Sequence, residues 1–267
     1  MRWIVHSIAP APSSASGDMI AAIATSGGVI RVTEEHTEPI YGRGKNELAT
    51  SGDLYADSVG LRKSSPKEVF DLTFHDSHPQ LIIAAGRDGR VLHTDLRTGR
   101  VDWSMFQAKS TVAQIAGVGA HGLLVSALES NLGLYDLRYT KRTREDETAE
   151  PVVRYHGHKN LAHWKAGLDV SEKLGVVAAA QDDGEVKLFN LRSGAAMSCP
   201  VLQRHKLDDT PVETLMFKTV PGEDHRPSLF VGEEKGLVVK YSWGEMLGGQ
   251  EGEEEGEPEE AEDSEEE

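Results

Sequence analysis

Three short sequences that end in arginine are the residues of this chain best suited to contact another molecule. They are Asp95-Leu96-Arg97, Asp136-Leu137-Arg138 and Asn190-Leu191-Arg192. An arginine guanidinium is a planar fork with five N–H donors, and a neighbouring carboxylate can fix its direction. Such a fork suits the carbonyl and carboxylate oxygens of another protein. The chemistry that these residues predict is therefore recognition and not bond making.

Patterns that would indicate an active site, a cofactor or a metal ion are weak. Gly117-Val118-Gly119-Ala120-His121-Gly122 has the glycine spacing of a dinucleotide loop, but a strand follows it where a helix would be needed. Gly42-Arg43-Gly44-Lys45 lacks the spacing of a phosphate-binding loop. His156, His158 and His163 have no thiolate or carboxylate at the spacing of a metal site. We expect no catalysis, no cofactor and no metal ion.

The arginine-ending sequences each close a repeat that predicts β-structure. The repeats run from Leu81 to Arg97, from Leu123 to Arg138 and from Gly175 to Arg192. Each is a short apolar strand, a turn, and a second strand in which apolar residues alternate with polar ones. The turns Asp88-Gly89 and Asp183-Gly184 favour tight hairpins, because glycine tolerates the positive φ that such turns need. Three β-hairpins are therefore predicted.

Further strands complete each hairpin into a larger unit. One strand is predicted before each hairpin. A further strand is predicted after a hairpin that is followed by a turn such as Ser193-Gly194. The preceding strands are Glu68–Phe74, Val112–Ile115 and Gly167–Val170. Four antiparallel strands in about 40–45 residues, repeated, are typical of β-propeller blades. With clear repeats over 66–202 and weaker ones over 1–41 and 212–243, we predict an all-β propeller of about five visible blades, residues 1–244.

The repeats resemble those of WD-repeat proteins. The Trp-Asp pair of that family stands here in altered form as Thr94-Asp95, Tyr135-Asp136 and Phe189-Asn190, and its Gly-His pair stands as Gly157-His158. The resemblance covers most of residues 68–243. It implies a structural hydrogen-bond network that joins His158 to a turn aspartate, Asp182 or Asp183.

Residues 134–178 resemble more narrowly the fourth of the cullin-4-associated factors, substrate receptors of a cullin-4 RING ubiquitin ligase. The likeness departs at the insertion Thr140–Glu150 and at Tyr135 in place of tryptophan. The resemblance implies that arginines on adjacent blades dock on the ligase's adaptor. The candidate residues are Asp95, Arg97, Asp136, Arg138 and, with less support, Asn190 and Arg192. The alternative is that each arginine only ties its blade to the next through a local salt bridge.

Charge divides the chain into two parts. The 267 residues carry 28 Lys+Arg and 44 Asp+Glu, a net charge of -16, yet Glu251–Glu267 alone holds 12 acids and no base. We predict a disordered acidic tail over 245–267, because its composition offers nothing to anchor a core. The remainder has a net charge of only -4, which argues against direct nucleic-acid binding through bulk positive charge.

Membrane and secretory classes fit the sequence poorly. No apolar run approaches the roughly 18 residues of a membrane span, and the single cysteine, Cys199, cannot form an internal disulfide. We therefore expect an intracellular protein of the nucleus, the cytoplasm or both. Because 250 residues are few for seven blades, either the ring has fewer blades or the sequence begins partway through one. We favour the second and expect an N-terminally incomplete seven-bladed ring that is a poorly soluble monomer unless it is extended N-terminally.

Two functions agree with this sequence. The first is a non-catalytic substrate receptor that links an unknown target protein to a cullin-4 RING ubiquitin ligase through its adaptor. The second is a general WD-repeat scaffold in a nuclear or ribosome-assembly complex, whose acidic tail holds basic partners.

Overall fold

Residues with alternating burial form nineteen strands in the part of the chain that the structure describes. The computed structural model describes residues 4–13, 18–42, 68–97, 100–140, 148–204, 212–222, 225–232 and 236–242. These strands pair into five antiparallel sheets, each built from strands that are consecutive in sequence. The five sheets confirm the predicted all-β propeller of five visible blades.

The three central blades follow the predicted repeats closely. The strands of blade 2 are β5 Val69–His75, β6 His78–Gly86, β7 Arg90–Asp95 and β8 Arg100–Gln107. The strands of blade 3 are β9 Val112–Val118, β10 Gly122–Ala127, β11 Asn131–Asp136 and β12 Val153–Arg154. The strands of blade 4 are β13 Leu168–Ser171, β14 Val176–Ala180, β15 Val186–Asn190 and β16 Ala196–Met197.

Blade 1 has two more strands than the sequence indicated, whereas blade 5 has three, as the weaker repeat over 212–243 indicated. The strands of blade 1 are β1 Val5–Pro10, β2 Met19–Thr25, β3 Gly28–Thr33 and β4 Thr37–Gly42. The strands of blade 5 are β17 Thr214–Lys218, β18 Ser228–Gly232 and β19 Val238–Tyr241. A helix, α1 Pro200–Arg204, precedes blade 5. The weaker repeat over 1–41 predicts a hairpin-like pair of strands, Asp18–Thr25 and Gly28–Val32, which are β2 and β3, but it predicts neither β1 nor β4.

Each pair of consecutive blades encloses its own apolar cluster. Val29 and Leu72 lie in the cluster between blades 1 and 2, and Ile83 and Leu123 in that between blades 2 and 3. Corresponding clusters join blades 3 and 4 and blades 4 and 5. Because residue types alternate along a strand, apolar side chains gather on one face of it and pack against those of the neighbouring blade. Their burial holds the two blades together through the hydrophobic effect.

Two of the predicted hairpin turns use glycine as expected. Gly89 has φ of 73° and Gly184 has φ of 79°, the region where residues with a Cβ are strained. Both stand directly after the aspartate that the sequence pattern requires. The hairpin over Gly119 likewise turns between β9 and β10, so this glycine-rich sequence connects two strands, as predicted.

The innermost strands of successive blades are joined by buried carboxylates. The Asp71 carboxylate on β5 accepts the backbone N–H of Ile115 on β9 at 2.9 Å. Asp169 on β13 does the same for the N–H of Phe217 on β17, at 2.5 Å. Burial raises the pKa of Asp71 to about 6, and the hydrogen bond from Ile115 partly offsets this rise. These links fix how one blade sits against the next.

The direction of the strands distinguishes the two ends of the ring. Residues at the starts of β1, β5, β9 and β17 line one cavity, so these strands begin at the same end. In each antiparallel sheet the third strand runs in the same direction as the first and therefore finishes at the opposite end. Asp95 and Asp136, the last residues of β7 and β11, lie at that opposite end.

Several expectations concern residues that lie outside the described part of the chain. They are the acidic tail, the segment 43–67, which includes most of the Gly42–Lys45 loop, and residues 141–147 of the insertion. In the described residues, no helix is long and apolar enough to cross a membrane.

Candidate functional site: the Asp–Arg edge

Two Asp–Arg pairs stand at the same end of adjacent blades; we call Asp95, Arg97, Asp136 and Arg138 the Asp–Arg edge. Each aspartate ends a third strand, and the arginine follows in the turn that leads toward the fourth strand. The backbone N–H of each arginine donates to the aspartate Oδ1 at 3.0 Å. The turn therefore holds both side chains of a pair on one side of the chain.

The two pairs have the same geometry because their sequences are the same. Arg138 donates from Nε to Asp136 Oδ1 at 3.0 Å and from Nη2 to Oδ2 at 2.6 Å. Arg97 makes the equivalent bonds to Asp95 at 3.0 and 2.7 Å. A two-point bond of this kind fixes the plane of the guanidinium as well as its position. It uses two of the five N–H groups of each arginine.

Both guanidinium groups face solvent while their carboxylates are largely covered. The side chains of Arg97 and Arg138 are 66% and 56% exposed, whereas those of Asp95 and Asp136 are 20% and 18% exposed. The hydrogen bond from Arg138 lowers the pKa of Asp136 to about 2, and that from Arg97 lowers the pKa of Asp95. Each carboxylate therefore stays ionised at physiological pH and keeps its arginine directed outward.

Each pair lies within its own blade. The alternative from the sequence had each arginine tie its blade to the next, but the ion pairs of Arg97 and Arg138 join residues two positions apart in the same turn. Other residues link the blades, among them Asp71 and Asp169 on the innermost strands.

The third candidate pair, on blade 4, has a different geometry. Asn190 Oδ1 accepts the backbone N–H groups of Arg192 and Ser193 at 3.1 and 3.0 Å, and the Ser193 hydroxyl at 3.1 Å. An amide has no charge with which to attract the Arg192 guanidinium. Asn190 thus shapes the turn, and blade 4 does not extend the edge of directed arginines that blades 2 and 3 form.

The His158 network has a different partner from the one that the sequence indicated. His158 Nδ1 lies 3.2 Å from Gln181 Nε2, and Gln181 also accepts the N–H of Lys159 at 2.6 Å. Asp182 instead accepts the N–H of Leu161, and Asp183 pairs with Lys159. Burial lowers the pKa of His158 to about 4, with Asp182 acting in the opposite direction. The amide replaces the carboxylate because it can donate to a neutral imidazole.

Sequence reasoning missed two features beside the Asp–Arg edge. Tyr139 is 69% exposed, and the Arg138 guanidinium lies 5.4 Å from the centre of its ring. His75 and His78 stack obliquely at 5.0 Å, and burial together with His78 lowers the pKa of His75. Tyr139 directly follows Arg138, so its aromatic ring was visible in the sequence, whereas the histidine pair depends on a hairpin register.

In the described residues, no three metal-binding side chains come together.

The five blades and their exposed edge define a WD-repeat β-propeller scaffold, a class of typically non-catalytic proteins. Residues 58–244 match the family model described as nucleolar protein 10-like, N-terminal domain, and the chain belongs to this family.

A curated relative gives the same class. Over 121 residues the chain is 31% identical to WD repeat-containing protein 21 of Schizosaccharomyces pombe (strain 972 / ATCC 24843). The match covers 45% of this chain and 28% of that protein, so the chain spans less than a third of this relative's length.

Solved structures share the fold. The crystal structure of the computationally designed Ika8 protein matches with a TM-score of 0.54 and 14% identity, over 85% of this chain and 56% of that one. The computationally designed Ika4 protein matches with a TM-score of 0.50 and 16% identity, over 69% of this chain and 96% of that one. At these identities the likeness concerns architecture alone.

Proposed function

We propose that this chain is a non-catalytic protein-binding scaffold of a nucleolar complex that assembles ribosomes. The observation that carries the proposal is membership of the nucleolar protein 10-like family, matched over residues 58–244. The propeller supplies a rigid frame, and the Asp–Arg edge supplies directed donors for a partner's carbonyl and carboxylate oxygens. In this proposal the acidic run Glu251–Glu267 attracts the basic proteins that such complexes contain.

The test is co-sedimentation of the tagged full-length chain with pre-ribosomal particles from a nucleolar extract. We expect enrichment in those fractions and loss of basic ribosomal proteins when residues 251–267 are deleted. Because an anionic run acts through screened charge, the loss should be reproduced in the intact chain by raising the salt concentration. Exclusion of the chain from nucleoli, or sedimentation only as free protein, would contradict the proposal.

A second candidate function is favoured by the Asp–Arg edge itself. Repeated Asp-Leu-Arg turns on adjacent blades resemble those with which cullin-4-associated factors dock on the ligase adaptor. The two arginine side chains support this candidate function, because Arg97 and Arg138 are exposed and are held in the same two-point geometry. In this case the chain presents an unidentified protein to the ubiquitin ligase.

Pull-down of the purified adaptor distinguishes the two candidates. If the edge docks on the adaptor, the double variant Arg97→Ala with Arg138→Ala should recover at least tenfold less of it. Arg192→Ala is the matched control, since Asn190 does not direct that guanidinium, and it should lose far less. Absence of the adaptor with the unmodified chain would eliminate the ligase candidate and leave the nucleolar proposal intact.

A further inference from the structure

A cavity of about 300 Å³ opens at the end of the ring opposite the Asp–Arg edge. All five blades or their connections line it, with His6 from blade 1, Phe70 from blade 2, Gln114 from blade 3, and Glu213 from the start of blade 5. Trp164 and Lys165, from the connection that leads into blade 4, stand on its wall. Pockets of this size accommodate small ligands or a single long side chain.

Aromatic rings form one wall of the cavity. Trp164 stacks on Phe70 with their ring centres 4.9 Å apart and their planes 21° apart. The His6 ring meets both rings edge-on, at 5.0 Å from Trp164 and 5.2 Å from Phe70. The faces of tryptophan and phenylalanine carry negative electrostatic potential and attract cations.

The protein already places its own cations against these two rings. Lys165 Nζ lies 5.3 Å from the centre of the Trp164 ring, and the Arg87 guanidinium lies 5.6 Å from that of Phe70. Lys165 is 54% exposed and its pairing with Glu213 is loose, at 3.6 Å. Lys165 can therefore leave the ring and be replaced by a cation of a partner.

Two buried atoms of the lining have no hydrogen-bond partner, and both are acceptors. Gln114 Oε1 and His6 Nδ1 are these atoms. His6 Nε2 lies 3.1 Å from the Glu68 carboxylate, which can only accept, so Nε2 carries a proton; in this tautomer of the uncharged ring Nδ1 is an acceptor. The lining thus offers hydrogen-bond acceptors without partners beside an aromatic face. Such a lining favours a ligand with several hydrogen-bond donors.

We propose that this cavity binds an arginine side chain of a protein partner. A guanidinium is flat, so it can lie on the Trp164 ring, and its five N–H donors match the vacant acceptors and the Glu213 carboxylate. A lysine ammonium has only three donors and no flat face, which makes it the poorer ligand. The site uses the end of the ring away from the Asp–Arg edge and does not depend on either proposed function.

The probe is a capped Gly-Arg-Gly peptide, measured by calorimetry against the same peptide with lysine or with citrulline, an uncharged analogue of arginine. We expect the arginine peptide to bind at least tenfold more tightly than the citrulline peptide, and the lysine peptide to fall between them. Equal binding of the arginine and citrulline peptides, or binding of neither, would overturn the proposal.

Variants separate the site from a general effect on the fold. Trp164→Ala should weaken binding at least tenfold, whereas Lys165→Ala should strengthen it several-fold, because it removes the competing cation. Damage to the fold cannot produce tighter binding. Arg192→Ala, which follows β15 at the opposite end and lies outside the Asp–Arg edge, should leave the affinity unchanged. Weaker or unaltered binding by Lys165→Ala would contradict the proposed role of the Trp164 ring.

Discussion

Asp71 on β5 and Ile115 on β9 are joined by a hydrogen bond of 2.9 Å that crosses from blade 2 to blade 3. The same carboxylate also accepts the N–H of Leu72 at 2.9 Å. Its burial raises the pKa to about 6 from an ordinary value of 3.8. A group that ties two blades together therefore also titrates between mildly acidic and neutral pH.

Asp71 should make stability fall as pH rises from about 4 to about 6. In that range the folded chain retains a proton that the unfolded chain has released, so each step up in pH favours unfolding. A shift of this size corresponds to about 3 kcal/mol when complete. Urea unfolding of Asp71→Asn at both pH values should lack this loss, because the amide keeps an acceptor oxygen but does not titrate. Parallel pH profiles of the two proteins would contradict the prediction.

His158 should act in the opposite direction. Its pKa in the folded chain is lowered to about 4 from 6.5, so protonation favours the unfolded chain as pH falls below about 6.5. The free energy of unfolding should therefore fall progressively down to about pH 4, by up to about 3 kcal/mol in total. His158→Asn, whose amide oxygen can accept from Gln181 in place of Nδ1, should show a weaker acid loss in thermal melts between pH 4 and 7.

Tyr155→Phe should destabilise the junction of blades 3 and 4. The buried Tyr155 hydroxyl donates to the carbonyl of Leu191 at 2.9 Å. Without it, the carbonyl loses its partner away from water, which costs about 1–2 kcal/mol of unfolding free energy. Tyr139→Phe is the matched control, because Tyr139 is 69% exposed, and its urea midpoint should be unchanged. Equal urea midpoints for all three proteins would show that the buried hydrogen bond contributes nothing to the free energy of unfolding.

Two glycines with similar backbone angles should differ in their tolerance of alanine. Gly194 has φ of 70° and Gly175 has φ of 66°, so both substitutions incur about 1–2 kcal/mol of backbone strain. A Cβ on Gly194 would overlap the carbonyl oxygen of Arg154, whereas one on Gly175 would meet nothing within 4 Å. Gly194→Ala should therefore have the lower melting temperature, and equal values would contradict the steric explanation.

The sequence predicted the strands that repeat, and it missed those that do not. β7, β11 and β15 were evident because alternation and a shared Asp/Asn-Leu-Arg ending mark them. β1 was not predicted, because no repeat with the Asp/Asn-Leu-Arg ending marks it. In the structure Pro10 only ends that strand. Proline is tolerated at a strand end, where no interior hydrogen bond is lost.

Site prediction succeeded in locating side chains and fell short in choosing their partners. The position of Arg138 beside Asp136 follows from their spacing, because a turn brings positions i and i+2 together. The choice of Gln181 over Asp182 for His158 depends on how the turn aims each side chain, which spacing does not encode. The stacking of Trp164 on Phe70 joins residues 94 positions apart and needs the whole ring.

The assembly of every sheet from consecutive strands has a consequence for how the chain folds. All pairing within a blade is between near neighbours in sequence, so closing each sheet costs little loop entropy. A blade can therefore form on the ribosome as soon as its last strand emerges, and the next blade can condense on it. Folding should proceed in order from the first blade, with Trp164 reaching the rings of Phe70 and His6 only when the fourth blade begins.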